Sequence, residues 1–233
     1  DLPQFRDLLG NGSNFGVKLS YLIQHHPNGI AEGLIIAEDF LAGENCVFIL
    51  GDNLFIGQFN DDIIKHELLK KNGATIFSYK VRDPERYGVV LLDKNNEPKN
   101  IVEKPKNYIS DHAITGIYFY DQNAVKIAKS LKPSKRNELE ITDVNKFYLK
   151  KKKLNVVNLE KNITWLDAGT INSLYYASNL VSTIQKRTGK KIGCLEETAL
   201  LKKYITIQKL KENRVRYGSS NYGKYLDMII KNN

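Results

Sequence analysis

The stretch Cys46-Val47-Phe48-Ile49-Leu50-Gly51-Asp52-Asn53 constrains most what this chain can fold into. Val47 to Leu50 is an apolar run rich in β-branched and aromatic side chains. Closed by a turn residue, it reads as a short strand buried on both faces, the habit of a central parallel strand in an α/β sheet. The run stops at Gly51, and the Asp52 carboxylate follows at once. Ligands of open α/β sheets bind in the crevice at the carboxyl ends of the strands, so Asp52 is placed for chemistry. By local pattern it serves equally as the cap of the turn into the segment that begins near Phe59.

The rest of the chain alternates in the same idiom. Asp1-Leu2-Pro3 opens a helix with Asp1 as cap, ending at Gly10, and Val17 to Ile23 reads as a strand. A tight connection through Pro27 and Gly29 leads into an apolar helix from Ile30 to Phe40, and Gly29 permits close approach of a ligand to backbone amides. Gln24 offers the donor and acceptor that reading a nucleobase edge requires. Helical periodicity over Phe59 to Asn72 and a β-rich run over Thr75 to Lys80 extend a βαβ pattern with a parallel sheet. A hairpin then spans Tyr87 to Leu92 and Asn100 to Pro105, turning around Asn95-Asn96. Ala113 to Tyr120 resumes as a buried strand. Helices at Ala124 to Ser130 and Ile141 to Lys150 and a strand at Leu154 to Leu159 follow. Trp165-Leu166-Asp167-Ala168-Gly169-Thr170 repeats the opening motif, a carboxylate closing a short apolar segment before a glycine. Beyond it a long helix from Ser173 to Thr188 and helices around Glu196 to Lys203, Thr206 to Arg214 and Gly223 to Ile230 change the class, which sets a boundary near Thr170.

Composition excludes several function classes. With 233 residues, 42% hydrophobic and 26% charged, the chain has the balance of a globular protein. No apolar run approaches the eighteen or so residues of a membrane span, so no membrane partner is expected. Cys46 and Cys194 lie far apart and read as buried thiols of a reducing, cytoplasmic compartment. The net charge of +9 raises nucleic acid as a partner, with Lys150-Lys151-Lys152-Lys153 as the patch. The other basic residues are scattered without interleaved aromatics, so no nucleic-acid binding is expected, and a positive field suits phosphorylated metabolites equally. His25 and His26 have no further metal ligands nearby.

Taken together, the ordered motifs resemble the sugar-nucleotide pyrophosphorylases, and among them the glucose-1-phosphate thymidylyltransferases. Gln24 to Gly33 resembles the base-binding Q-x-x-P-x-G-[LI]-A segment, with glycine at Gly33 where alanine is usual, and Leu50 to Asn53 resembles the metal-binding strand end. Asp83-Pro84-Glu85-Arg86-Tyr87-Gly88-Val89-Val90, Glu103-Lys104-Pro105, Thr115-Gly116-Ile117-Tyr118, Glu138 to Asp143 and Trp165 to Thr170 complete the match over essentially the whole chain. The family's opening G-G-x-G-T-R-L loop and the lysine segment after it do not occur here. The lone methionine is Met228. The chain is therefore expected to be a fragment lacking about sixty residues, roughly two βα units, and inactive alone.

The resemblance implies an α/β, Rossmann-like, mostly parallel sheet flanked by helices, the nucleotidyltransferase fold, with an inserted β-hairpin. Residues 1–170 would form an incomplete nucleotide- and sugar-binding domain. Residues 171–233 would form a C-terminal helical region for oligomerisation and regulation, most often within a homotetramer. The implied reaction joins dTTP and glucose 1-phosphate into dTDP-glucose and pyrophosphate, with Mg²⁺ as cofactor. Asp52 and Asp167 are implied as the metal ligands, and Lys104 and Arg136 as the holders of the sugar phosphate. Glu103, Gly88, Thr115, Gly116 and Trp165 would serve the sugar, and Gln24, Gly29, Asp52 and Tyr87 the nucleotide. By local pattern alone an exposed pair at a strand end is the commoner reading of Glu103-Lys104, and plain core is the alternative for Trp165. A UTP-using transferase and a non-catalytic sugar-nucleotide sensor are the alternatives.

Overall fold

Ala113–Tyr120 is buried at every position, and this segment is the strand on which the sheet is built. The computed structural model describes residues 2–159 and 162–233. In chain order the elements are α1 (Leu2–Leu9), α2 (Glu32–Ile36), α3 (Glu38–Leu41), β1 (Cys46–Ile49), β2 (Asn53–Ile56), α4 (Asp61–Leu69) and β3 (Ala74–Lys80). The hairpin β4 (Gly88–Leu92) and β5 (Pro98–Glu103) follows, then β6 (His112–Tyr120), α5 (Ala124–Ser130), α6 (Ile141–Lys150), β7 (Leu154–Asn158) and β8 (Thr164–Asp167). Helices α7 (Ile171–Thr188), α8 (Leu195–Leu201), α9 (Ile207–Val215) and α10 (Asn221–Lys231) complete the chain.

One edge of β6 pairs with β3, and β3 pairs in parallel with β7. The other edge is shared: β4 meets it at Ala113, and β1 takes over from Ile117 to Tyr120. β1, β3, β4 and β7 point one way, as a mostly parallel sheet requires. β6 runs against them between β1 and β3, so β3–β7 is the parallel ladder among the described residues. β2 and β8 form a separate two-stranded ladder. The α/β class and the inserted hairpin agree with expectation, and the hairpin turn places Asn96 at φ 62° while Asp93 accepts hydrogen bonds from the amides of Asn95 and Glu97.

Successive residues of β6 feed opposite faces of the sheet. Ile114, Tyr118 and Tyr120 join Ile76, Val90, Val144 and Tyr148 in the larger core, and Ile117 and Phe119 pack with Phe77 in a smaller one edged by Phe55, Phe59 and Ile64. Tyr118, Tyr120 and Tyr148 stack in succession at centroid distances of 5.8 Å.

Some expectations are corrected. β1 is not buried on both faces: Val47 and Ile49 are 40% and 59% exposed, and its one ladder among the described residues is antiparallel, to β6. Strand β6 holds the central place because it, unlike β1, has partners on both edges. Val17–Ile23 forms no strand, since no ladder partner lies beside it among the described residues. The helix expected from Ile30 to Phe40 is split at Ala37 into α2 and α3. At Gly33 a Cβ would stand 3.1 Å from the Phe48 ring, a tight contact that a small shift of that ring would relieve. Helix α1 runs up to Gly10, while Asp1, its expected cap, lies outside the described residues.

The chain divides into two compact units. Residues 24–177 contain the sheet; residues 1–23 group with 178–233. The second unit has its own core of Phe15, Cys194, Ala199, Leu210, Tyr225 and Leu226, and Glu196, 1% exposed, accepts hydrogen bonds from the Tyr217 and Tyr222 hydroxyls. Both cysteines are free thiols. No helix among the described residues is long and apolar enough to cross a membrane.

Asp121 ties the end of β6 to the helix layer. It accepts hydrogen bonds from the Tyr148 hydroxyl at 2.6 Å and from the amides of Gly73 at 2.7 Å and Asn123 at 2.9 Å. Burial pushes its pKa up, but these bonds outweigh burial and hold it below the ordinary carboxylate value. A carboxylate with a depressed folded-state pKa stabilises the fold above its unfolded pKa, and that stabilisation is lost as pH falls through the folded value. Tyr148→Phe should therefore cost about 1.5–3 kcal/mol at neutral pH in urea unfolding, with the difference from the parent shrinking below about pH 4. A difference that stays constant into acid would refute the assignment.

Candidate active site

Where β6 passes from β4 to β1, Ile114 and Gly116 face a cleft of about 540 Å³ at the split of the sheet. The end of β1 is pinned there by the Leu50 amide, which donates to the Gly116 carbonyl at 2.9 Å. The chain then crosses into β2, whose ladder with β8 sets Asn53 opposite Asp167, while the Ala168 amide donates to the Asp52 carbonyl at 2.8 Å. The two motifs in which a carboxylate ends an apolar run thus become neighbours. A Cβ built on Gly169 would stand 3.0 Å from Asp167 Oδ1 and 3.1 Å from Asp52 Oδ2, so both carboxylates converge on this glycine.

Asn53 is the junction of the site. Its Oδ1 accepts from the Gly116 amide at 3.0 Å and from the Trp165 indole Nε1 at 2.6 Å, and its Nδ2 donates to Asp52 Oδ1 at 2.8 Å. A Cβ at Gly116 would meet the Asn53 amide at 2.7 Å, which is why the residue there has none. Trp165 is buried, with Tyr87 and Tyr79 packed on it at 5.1 and 5.9 Å. It is core and cleft lining at once.

The opposite wall comes from the hairpin and α6. Gly88 pairs with Glu103 across β4–β5, and the space a side chain at Gly88 would fill is held by Glu103 Oε2 and Thr142 Oγ1, each 3.0 Å away. The Thr142 hydroxyl donates to Glu103 Oε2 at 2.5 Å. Lys104 follows at φ 41°, a left-handed conformation uncommon for a side-chain-bearing residue, with its amide bonded to the Tyr87 carbonyl at 3.0 Å. Arg136 lies among carboxylates: Nη2 is 2.7 Å from Glu140, 3.1 Å from Glu138 and 3.6 Å from Glu103. The hydrogen bond to Glu140 raises the Arg136 pKa. Burial pushes the Glu140 pKa up, but hydrogen bonds from Arg136 and Ser134 and the Arg136 and Lys104 charges bring it below its ordinary value. Among the described residues, the ion pairs of the cleft are made by Arg136 and Arg86, and none by Lys104.

Asp52, Tyr87, Gly88, Glu103, Lys104, Gly116, Arg136, Trp165 and Asp167 therefore line one cleft. Three sequence candidates stand apart. The Thr115 side chain is fully buried and donates to the Phe77 carbonyl at 3.1 Å, within the sheet. Gln24 Nε2 donates to Glu32 at 2.6 Å and to the Gly29 carbonyl at 3.1 Å. Gly29, at φ 104°, makes its close approach to the Leu139 backbone, 2.5 Å from where its Cβ would be. Sequence reasoning singled out neither Asn53 nor Arg86 as a site residue. Both stand inside quoted motifs, but the contacts that give them a role come from β8, over a hundred positions away in the case of Asn53 and Trp165.

The chain belongs to the Nucleotidyl transferase family, which residues 1–183 match. It is 43% identical over 231 residues to the glucose-1-phosphate thymidylyltransferase of Neisseria meningitidis, covering 99% of this chain and 80% of that relative. Among solved structures, a Bacillus anthracis protein described as a glucose-1-phosphate thymidylyltransferase, in complex with a sucrose, superposes with TM-score 0.70 at 40% identity, over 77% of this chain and 71% of that one. A UDP-glucose pyrophosphorylase complexed with UDP-glucose superposes with TM-score 0.59 at 25% identity, over 70% and 66%. The resemblance read from the motifs is thus borne out, and the relatives are enzymes.

Trp165 is the chain's single tryptophan, so its fluorescence reports on this site. Asn53→Ala leaves the buried Trp165 N–H and the Gly116 N–H without their acceptor, and should cost about 2–4 kcal/mol with a change in Trp165 emission. A loss below about 0.5 kcal/mol in urea unfolding with unchanged emission would show that Asn53 does not organise the cleft.

Proposed function

We propose that the cleft joins a thymidylyl group from dTTP to glucose 1-phosphate, releasing pyrophosphate and forming dTDP-glucose. The observation that carries this reading is the convergence of Asp52 and Asp167 in the same cleft as Glu103, Lys104 and Arg136. The second pKa of a phosphate monoester is about 6, so glucose 1-phosphate is largely dianionic at neutral pH and can attack the α-phosphorus in line without a general base. The protein's task is then to align two anions and to offset their charge.

Asp52 and Asp167 would hold Mg²⁺, and their convergence at Gly169 suits an ion that usually takes one or two carboxylates plus substrate oxygens and water. When bound, that ion would supply charge neutralisation and Lewis acidity at the phosphates. Lys104, without an ion-pair partner among the described residues, would receive the sugar phosphate. Arg136, shared among glutamates, would assist while positioning Glu103. Glu103 would accept hydrogen bonds from glucose hydroxyls beside Gly88, with the backbone of Thr115-Gly116 assisting. Tyr87 and Trp165 would form an apolar wall, and Gln24 with Gly29 would face the base. The exposed apolar residues Ile171, Leu174, Tyr175 and Tyr176 of α7 support packing of subunits through the C-terminal region, as a homotetramer in the cytoplasm. Light scattering that finds a monomer would remove that part of the proposal.

Pyrophosphate release with glucose 1-phosphate and Mg²⁺ tests the reaction, using dTTP and UTP. The assay compares the 233-residue chain alone with the chain joined to the family's glycine-rich segment. The active form should prefer dTTP, and Asp52→Asn or Asp167→Asn should lower kcat by a factor of about 100 or more. A folded protein that binds nucleotide sugar but makes no product with either nucleotide would favour a sensor instead.

A further inference from the structure

Arg86 divides its guanidinium between two acids. Nη1 donates to Asp83 Oδ2 at 2.9 Å and Nη2 to Asp167 Oδ2 at 3.2 Å. The Gly169 amide donates to Asp167 Oδ1 at 3.0 Å, the oxygen that converges with Asp52, and Arg86 takes the other oxygen of the same carboxylate. Its Cζ lies 5.2 Å from the Tyr87 ring centroid, and that ring packs on Trp165, which is bonded to Asn53. The Arg86 and Asp83 side chains are 39% and 43% exposed against 17% for Asp167, so the guanidinium can leave Asp167 for solvent while Asp83 keeps hold of its other nitrogen.

We propose that Arg86 is an intrinsic competitor for the divalent cation: it neutralises Asp167 when the ion is absent and gives up that carboxylate when the ion binds. The inference rests on the reading of Asp52 and Asp167 as the ion's ligands. Two carboxylates brought together without a counter-ion repel one another, and Arg86 relieves that repulsion in the cation-free protein. The same positive charge opposes the incoming ion. At roughly 5 Å and close to the dielectric of water, a unit charge shifts the affinity of a divalent ion by about tenfold. Arg86 would thus hold cation affinity down in the free protein, so that the ion binds tightly only once nucleotide phosphates contribute further oxygens.

The test is direct binding of Mn²⁺, counted by electron paramagnetic resonance of the free ion, in the absence of nucleotide. Arg86→Met should bind Mn²⁺ about tenfold more tightly than the parent, with the gain shrinking as salt is raised. Arg86→Gln neutralises the same charge while keeping a hydrogen-bonding side chain, and should tighten binding in the same direction, so a folding failure of the methionine variant would leave the outcome decided. A residue that merely supports the structure would weaken Mn²⁺ binding when replaced. Unchanged or weaker binding in the folded Arg86 variants, alongside loss of binding in Asp167→Asn, would overturn the competitor role alone. Parent-like binding in both Asp52→Asn and Asp167→Asn would overturn the metal assignment itself.

Discussion

Everything in the sheet-bearing unit depends on β6 having one edge shared by two strands. β3 follows the opposite edge along most of its length, whereas β4 and β1 divide the other between Ala113 and Ile117. A continuous partner would close that edge with ladder hydrogen bonds. The hand-over instead leaves a gap at Ile114–Gly116, and the polar groups there need other partners. The Leu50 amide and the Asn53 side chain supply them. The cleft is the consequence, at the kind of split where open α/β sheets bind ligands.

The charges around the gap are interleaved. Carboxylates Asp52 and Asp167 face one side, with Arg86 bridging from Asp167 to Asp83. On the other, Glu103, Glu138 and Glu140 surround Arg136, while Lys104 remains outside these pairs. A buried or half-buried like-charged set is costly unless each member has a partner, and these partners are built in. The side chains of the cleft are therefore held in place by one another through hydrogen bonds and ion pairs. Preorganisation of this kind is what electrostatic catalysis of phosphoryl transfer requires.

Local pattern located most of the regular elements, because hydrophobic period and capping are properties of neighbouring residues. The hairpin around Asn95-Asn96 and helices α5 and α6 lie where their own residues place them. It misassigned β1 as a central strand, since an apolar run does not reveal how many edges will be paired; Ala113–Tyr120 carries equally apolar residues and took that position. Val17–Ile23 failed for the same reason, its β-branched residues having no ladder beside them among the described residues. Of the candidate site residues, those at strand ends came together. Gln24, Gly29 and Thr115 make local hydrogen bonds and close packing instead of lining the same cleft, contacts that no sequence motif specifies.

By itself the sequence determined the α/β class, the order of most elements and the chemistry available: two carboxylates that close apolar segments, a Glu-Lys pair at the end of a strand, and an arginine ahead of an acidic helix start. These follow from residue type and short-range spacing. Only the tertiary structure decided which of them meet. The β2–β8 ladder sets Asp52 beside Asp167, Asn53 links β6 to Trp165, and Arg86 reaches Asp167 across 81 positions. The physical reason is that pairing between distant strands is selected by the burial of whole faces and the satisfaction of backbone groups, and neither is a property of any local window.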